Sequence, residues 1–332
     1  MSPPRAQASG ISVLVTGAGG PAAIAVLKSL RGDPSVGLLA ADMDGWAAGL
    51  YLVPPAARAV IPAGAAPEFA EALLARCLKM GADVVIPTVD SELRPLAAAR
   101  AAFARAGVQL MLAPERALAL TLDKLALARA CAAVVRVPRT EPLSGDVSPD
   151  SWTYPVIVKP RSGSGSRDIT AVMSAEELKN LAPSADFIVQ EYLPGEEYSI
   201  DVLADNDGRV VAGVPRVRAR VDSGVSVAGR TLHDRELEQF GAAVATAVGL
   251  TFIANVQVRR DVAGRPALLE VNPRAPGSLS LTVASGVDMP RMALDAMRGH
   301  PLPEHAEFCE KAMVRFLDER FLDLSEIIET VA

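Results

Sequence analysis

FIANVQVRRDVAGRPALLEVNPR, residues 252–274, reads as two apolar strands interrupted by a turn. With Ala263 and Gly264 at the turn, antiparallel pairing sets Gln257 opposite Glu270. Successive side chains on a strand face opposite ways, so Glu270 and Asn272 share one face, with Gln257 beside them. Three oxygen-bearing side chains then converge inside otherwise apolar runs such as ALLEV, which favours a site over a merely solvated face. Hard oxygen donors at this density suit Mg²⁺, which is commonly held by few protein oxygens together with substrate phosphates. Arg274 continues the same face with a guanidinium able to grip an oxyanion.

Two stretches upstream carry complementary chemistry. PVIVKPRSGSGSRDI, residues 155–169, ends an apolar strand in Lys159 and runs into a loop where Gly163 and Gly165 alternate with Ser162, Ser164 and Ser166. Small residues leave backbone N–H groups open to phosphate oxygens, and the lysine adds a point charge. The lysine precedes the glycines, so this is not a Walker A loop, and alone it reads equally as a hairpin tip. VQEYLPGEEYSID, residues 189–201, passes through a Pro-Gly kink into another strand. Such a crossover offers backbone groups to an adenine edge, with Glu196 or Glu197 placed to accept from ribose hydroxyls.

Near the start, VLVTGAGGPAAIAVLKSL, residues 13–30, fits G-x-G-x-x-G/A through Gly17, Gly19 and Ala22. GLLAAD then sets Asp42 where the ribose of a dinucleotide wants an acid. A tight strand-to-helix turn needs the same glycines without any dinucleotide, and Pro21 suits the first helical turn. As far as Ala113, short strands alternate with helical stretches, the pattern of a parallel sheet covered by helices. TVDSEL, residues 88–93, follows a strand end, where open α/β sheets bind ligands. Asp90, Ser91 and Glu92 are therefore substrate or capping candidates, with capping expected of Ser91 and the acids suited to a substrate amino group. Beyond the helical connector APERALALTLDKLALARACA the signals become antiparallel, with a hairpin turn at Asn206, Asp207 and Gly208. MPRMALDAMRG and LSEIIETVA are expected helices.

Composition narrows the function classes. A chain of 332 residues is long for one domain, so two or three units are expected. Lys and Arg total 33 against 39 Asp and Glu, a net charge of −6, which argues against a nucleic-acid partner. MSPPRAQASG has no apolar core and so is not a secretory signal. The longest apolar run, from Ala242 to Val256, falls short of the roughly 20 residues of a membrane span. Cys77, Cys131 and Cys309 lie far apart, and His233, His300 and His305 form no zinc pattern. The expectation is a cytoplasmic protein without disulfides or a zinc site.

The three stretches and LDK, Leu122–Lys124, occur in one order, and in that order the chain resembles the ATP-grasp superfamily of carboxylate-amine ligases. The likeness is greatest to its carbamoyl-phosphate-synthase-like branch and runs from about Ser12 to Asp295. It implies an α/β and α+β architecture: a Rossmann-like domain over 1–113, a linker helix and lid over 114–190, and an antiparallel-sheet subdomain over 191–332. It implies ATP held by Lys124 and Lys159, with residues 162–168 closing over the phosphates. Glu191, Tyr192 and Leu193 would meet adenine, and Glu197 the ribose. Gln257, Glu270 and Asn272 match the family's Mg²⁺ ligands, with Mn²⁺ as an alternative, and Arg274 matches its acyl-phosphate arginine. Arg218 falls where relatives place a substrate or phosphate contact, and Gly277 and Ser278 are suited to a substrate carboxylate. Gly19 and Gly20, at a helix N-terminus of the Rossmann-like domain, are further substrate candidates. Asp168 replaces a glycine common in relatives, and Val134 and Val135 stand where the linker usually has one.

The expected reaction phosphorylates a small carboxylate, an amino acid or similar, and lets an amine displace the phosphate. No dedicated general base is legible. Bicarbonate activation is the nearer alternative, an NAD(P)-dependent oxidoreductase built on the glycine loop a more distant one, and a non-catalytic nucleotide sensor a third. The substrates are expected to be small molecules, and dimerisation is common among such ligases.

Overall fold

The computed structural model describes residues 10–163, 168–222 and 224–328, so Ser164, Gly165 and Ser166 of the expected phosphate loop lie outside the described residues. The chain divides into two compact units. The first comprises the described residues up to Leu112, Arg274–Ser280 and those from Phe316 onward. The second comprises Ala113–Pro273 and Leu281–Arg315.

In the first unit β1 (Ile11–Val15), α1 (Pro21–Leu30), β2 (Val36–Asp42), β3 (Arg58–Val60), α2 (Phe69–Met80), β4 (Val84–Ile86), α3 (Asp90–Arg105) and β5 (Gln109–Leu110) alternate. The strands form a parallel sheet in the order β3-β2-β1-β4-β5. The order reverses at β1 and β4, the switch point at which such sheets open a crevice. Val13, Leu14, Val15, Val84 and Val85 are fully buried, as the central strands of a sheet covered on both faces require. At the β1–α1 turn Gly17 has φ +63°, and a Cβ there would stand 2.4 Å from Val89 Cγ2. Conformation and space both demand glycine, whatever the turn binds.

The second unit holds α4 (Glu115–Thr121), α5 (Lys124–Cys131), β6 (Thr140–Leu143), β7 (Val156–Pro160), β8 (Thr170–Val172), α6 (Ala175–Lys179) and β9 (Ser184–Glu191). There follow β10 (Glu197–Ala204), β11 (Val210–Asp222), β12 (Val225–Thr231), α7 (Arg235–Val248), β13 (Phe252–Arg260) and β14 (Pro266–Asn272). Last come α8 (Leu279–Ala284), which starts at the unit boundary, α9 (Met289–Met297) and β15 (Ala312–Val314). Among the described residues the strands form two antiparallel sheets, β6-β9-β7-β8 and β14-β13-β10-β11-β12-β15.

Strand alternation explains what each sheet buries. Val156 and Val158 of β7 join Trp152, Val172, Leu178 and Val189 in a small apolar core, so Lys159 emerges on the other face. On the larger sheet, Ile200 and Val202 face α7, which approaches through Gly241. The expected connector is two helices, because Asp123 caps α5 by accepting from the Leu125 and Ala126 amides at 3.0 and 3.1 Å.

One expected helix does not form over its described residues, 324–328. Among the described residues, LSEIIETVA forms only a 3₁₀ turn over Leu324–Glu326. Leu324 is 87% exposed, while the Glu326 carbonyl accepts from Arg58 Nη1 at 3.3 Å and the Ile328 amide donates to Tyr51 Oη at 3.2 Å, so the described stretch is held through its backbone rather than by a helical apolar stripe. Cys77 and Cys131 are buried, Cys309 is exposed, and all three are free. No described helix is long and apolar enough to cross a membrane.

Candidate functional site

In the second unit β13 pairs with β14 so that Gln257 faces Glu270 and Asn255 faces Asn272. Two compensating departures from a two-residue turn produce this register. The chain turns over Val262–Gly264, with Asp261 Oδ1 accepting from the Ala263 and Arg265 amides at 2.9 and 3.0 Å. From Arg260 opposite Pro266 beside the turn the pairing runs regularly to Val258 opposite Leu268, and a bulge at Leu269 then shifts it to Gln257 with Glu270. Without the bulge, Glu270 would point to the opposite face.

The two lysines reach this hairpin from different elements. Lys124 Nζ donates to the Gly163 carbonyl at 2.7 Å and stands 3.8 Å from Glu270 Oε2. Its amide donates to the Arg161 carbonyl at 2.9 Å, while Asp123 pairs with the Arg161 guanidinium at 2.6 Å. The segment from Arg161 to Gly163, including Ser162, is thereby stitched to the N-terminus of α5. Asp168, where the described chain resumes, has φ +55°, a conformation glycine adopts most readily. Lys159 is 6% exposed. Burial pushes its ammonium down to about 8; Glu270 and Glu197 oppose that fall and Lys124 adds to it.

Gln257, Glu270 and Asn272 thus present oxygen donors from one sheet face, with Lys124 as a counter-charge. Among the described residues no cluster of three His, Cys, Asp or Glu could hold a metal, so a cation at this hairpin would depend on amide oxygens beside a single carboxylate. That donor set fits Mg²⁺ together with phosphate oxygens.

The crossover residues have partners of their own. Glu191 accepts from Arg136 Nη2 at 2.5 Å and from the Arg139 amide at 3.0 Å, so its carboxylate is committed to the segment before β6. Leu193 is buried, and Tyr192 is partly exposed. Glu197 pairs with Arg218, whose Nη2 also donates to the Gly224 carbonyl at 2.9 Å.

In the first unit Asp42 accepts from the Gly19 amide at 2.7 Å and from the Asp44 amide at 3.0 Å. The acid and the amide that a dinucleotide would need are therefore spent on each other. Gly20 precedes α1 and donates its amide to the Gly17 carbonyl at 2.9 Å. Arg274 and Asp90 form an ion pair at 2.6 Å, and Gly277 and Ser278 belong to the same unit. Ser91 does not cap α3. The helix begins at Asp90 with Val89 at the cap position, and Glu92 reaches back to the Val89 amide at 3.4 Å. A carboxylate at the third helical position satisfies that amide, which leaves Ser91 exposed in the first turn. Glu92 also accepts from Thr16 Oγ1 at 2.5 Å. Burial pushes its carboxyl up to about 7, against the lowering effect of those hydrogen bonds.

Sequence reasoning missed a buried polar set beside the hairpin. Asp201 and Arg216 form an ion pair at 2.7 Å, joined by Asn255 and Thr282, all at most 2% exposed. The available signal was polar residues at every second position of apolar strands: Glu197, Ser199 and Asp201, then Asn255, Gln257 and Arg259.

Comparison with known proteins agrees with this architecture. Residues 183–319 match the family described as ATP-grasp in the biosynthetic pathway with Ter operon. Residues 13–111 match the PylC-like N-terminal domain. The carbamoyl phosphate synthase large chain of Thermoanaerobacter sp. (strain X514) is 26% identical over 168 residues, covering 46% of this chain but only 16% of that protein. A biotin carboxylase–β,γ-ATP complex from Campylobacter jejuni superposes with a TM-score of 0.72 at 16% identity, covering 91% of this chain and 75% of the other. An L-amino acid ligase from Bacillus licheniformis gives 0.66 at 15% identity, covering 87% and 75%. At such identities the structural likeness establishes the fold. Residues 13–111 thus match a PylC-like N-terminal domain, residues 183–319 match an ATP-grasp domain, and the fold over most of the chain is that of the ATP-grasp structures it superposes on.

Proposed function

We propose that the protein is an ATP-dependent carboxylate–amine ligase. It would activate a small carboxylate, an amino acid or similar, as an acyl phosphate and join it to an amine, releasing ADP and phosphate. The observation that carries the reading is the pairing of Gln257 with Glu270, with Lys124 3.8 Å from that carboxylate and the buried Lys159 within its field. Two cationic side chains beside oxygen donors serve a polyphosphate better than they serve a hydride donor.

Under this reading Lys124 and Lys159 neutralise the phosphates, and the 162–168 segment adds backbone donors. Glu191, Tyr192 and Leu193 meet adenine, and Glu197, turning from Arg218, accepts from the ribose. Gln257, Glu270 and Asn272 would hold Mg²⁺, or Mn²⁺, which supplies positive charge to the phosphates when bound. Arg274 and Arg218 balance the charge on the activated carboxylate. Gly19, Gly20, Asp90, Ser91, Glu92, Gly277 and Ser278 are the substrate-side candidates. The likeness to a carbamoyl phosphate synthase chain supports bicarbonate as a second carboxylate.

An ATP-dependent phosphate-release screen over amino acids, other carboxylates and bicarbonate, with and without amines, tests the reading. Release with one acid–amine pair is expected, and Glu270→Ala should abolish it with little change in thermal stability. No release from any pool, combined with NADH fluorescence that responds to the protein, would refute it.

A further inference from the structure

The fully buried Asp201 accepts four hydrogen bonds. Its Oδ1 takes Arg216 Nη2 and Asn255 Nδ2, both at 2.7 Å, and its Oδ2 takes Arg216 Nε at 2.9 Å and Thr282 Oγ1 at 2.5 Å. Four donors saturate a carboxylate, and Arg216 balances its charge. The group lies in register with the candidate cation donors. Asp201 pairs across the sheet with Asn255, and Asn255 with Asn272; Ser199 pairs with Gln257, and Gln257 with Glu270.

The chemistry leaves Asn255 one orientation. A carboxylate only accepts, so the end of the amide facing Asp201 is the NH₂, and Oδ1 faces away. That oxygen lies 3.5 Å from Gln257 Nε2, which donates to it. Gln257 therefore turns its own NH₂ toward Asn255 and its Oε1 elsewhere. A hard cation binds the oxygen of an amide and is repelled by its NH₂.

We propose that Asp201 is a positioning residue which, through Asn255, sets the amide polarity of Gln257 so that its oxygen is presented to the cation. This rests on the reading of Gln257 as a cation ligand. Because Arg216 neutralises Asp201, the effect is one of orientation rather than of added negative charge. Outer partners that orient ligands typically change metal affinity by roughly 10- to 100-fold.

The test titrates ADP into the full chain by calorimetry, with Mg²⁺ or with EDTA, so that the readout is binding and not turnover. Asn255→Leu should cut the Mg²⁺-dependent gain in ADP affinity about 10-fold and leave the EDTA affinity unchanged. Gln257→Glu supplies a ligand whose two ends are both oxygens. In that background Asn255→Leu should have no effect, a rescue that loss of packing would not give. If Asn255→Leu does not fold, Asn255→Thr keeps a donor for Asp201 while shortening the arm toward Gln257, and the same pattern is expected. An unchanged Mg²⁺ gain in the Asn255 variants, or equal losses in both backgrounds, overturns the relay alone. Gln257→Ala with the gain intact overturns the ligand reading and the relay with it.

Discussion

Arg274 grips Asp90 through two parallel hydrogen bonds, Nε to Oδ1 at 2.7 Å and Nη2 to Oδ2 at 2.6 Å. The two residues are 184 positions apart and lie in the same unit. Fork-on-carboxylate geometry fixes the plane of the guanidinium. Their side chains keep 17% and 19% exposure, so screening limits the contribution of the pair to folding to about 1 kcal/mol. Asp90→Asn should lower kcat about 10-fold by releasing Arg274, with ADP affinity unchanged, because misplacement rather than loss of charge is the defect. Steady-state kinetics alongside ADP titration checks this. A loss of melting temperature with kcat intact would make the pair purely structural.

Lys159 should trade stability for binding. Its folded value of about 8 lies below the 10.5 of an exposed lysine, so its burial weakens the fold. That burden is fully present below pH 8 and fades as pH rises toward 10.5. At about 1.4 kcal/mol per pH unit it amounts to roughly 3 kcal/mol. Lys159→Met should therefore stabilise the chain at neutral pH, lose that advantage near pH 10.5, and bind ADP at least about 10-fold more weakly. Urea unfolding at several pH values gives the comparison.

Nucleotide phosphates should restore the proton to Lys159. Near pH 8 and above, ADP binding is expected to take up part of one proton, and Lys159→Met should abolish the uptake. Calorimetry in buffers of different ionisation enthalpy counts the protons directly. Equal uptake in the variant would assign it to another group.

Glu92 carries the opposite sign within its own unit. Its folded value of about 7 exceeds the 4.5 of an exposed glutamate, so the native state binds the proton more tightly. Stability attributable to this group falls as pH rises from 4.5 to 7, and the cost is complete above 7. Glu92→Gln should raise the melting temperature at pH 8 and change it little at pH 4.5. An identical shift at both pH values would contradict the assignment.

Gly241 tests the packing that supports the polar face from behind. A Cβ there would stand 2.7 Å from Ile200 Cγ2 and 3.2 Å from Val202 Cγ2. Gly241→Val should cost about 1–3 kcal/mol through overpacking. Gly249→Ala should be destabilising for another reason: there is nothing within 4 Å, but φ is +71°. Denaturant midpoints at constant m-value separate the two.

Period and turn chemistry were enough to read the alternation of the first unit and the glycine turn before α1, whereas the expected pairing of Gln257 with Glu270 is reached through a longer turn and a bulge that offset each other. The first two depend on residues within one strand–turn–helix, where spacing alone dictates which side chains meet. Partnerships across long separations were not legible. Asp90 could be read as an acid in a crevice but not as the partner of Arg274, and Asp42 looked free for a ribose although the Gly19 amide takes it. Asp201 and Asn255 looked like ordinary polar residues in apolar strands. Ser91 looked like a cap until Glu92 proved to reach the Val89 amide. The tertiary structure decided these because a carboxylate commits to whichever donors the fold brings within about 3 Å, and local sequence does not record which those are. The bulge at Leu269 shows the same division: the alternation of the strand determined which face Glu270 needed, and the pairing with β13 determined how the chain achieved it.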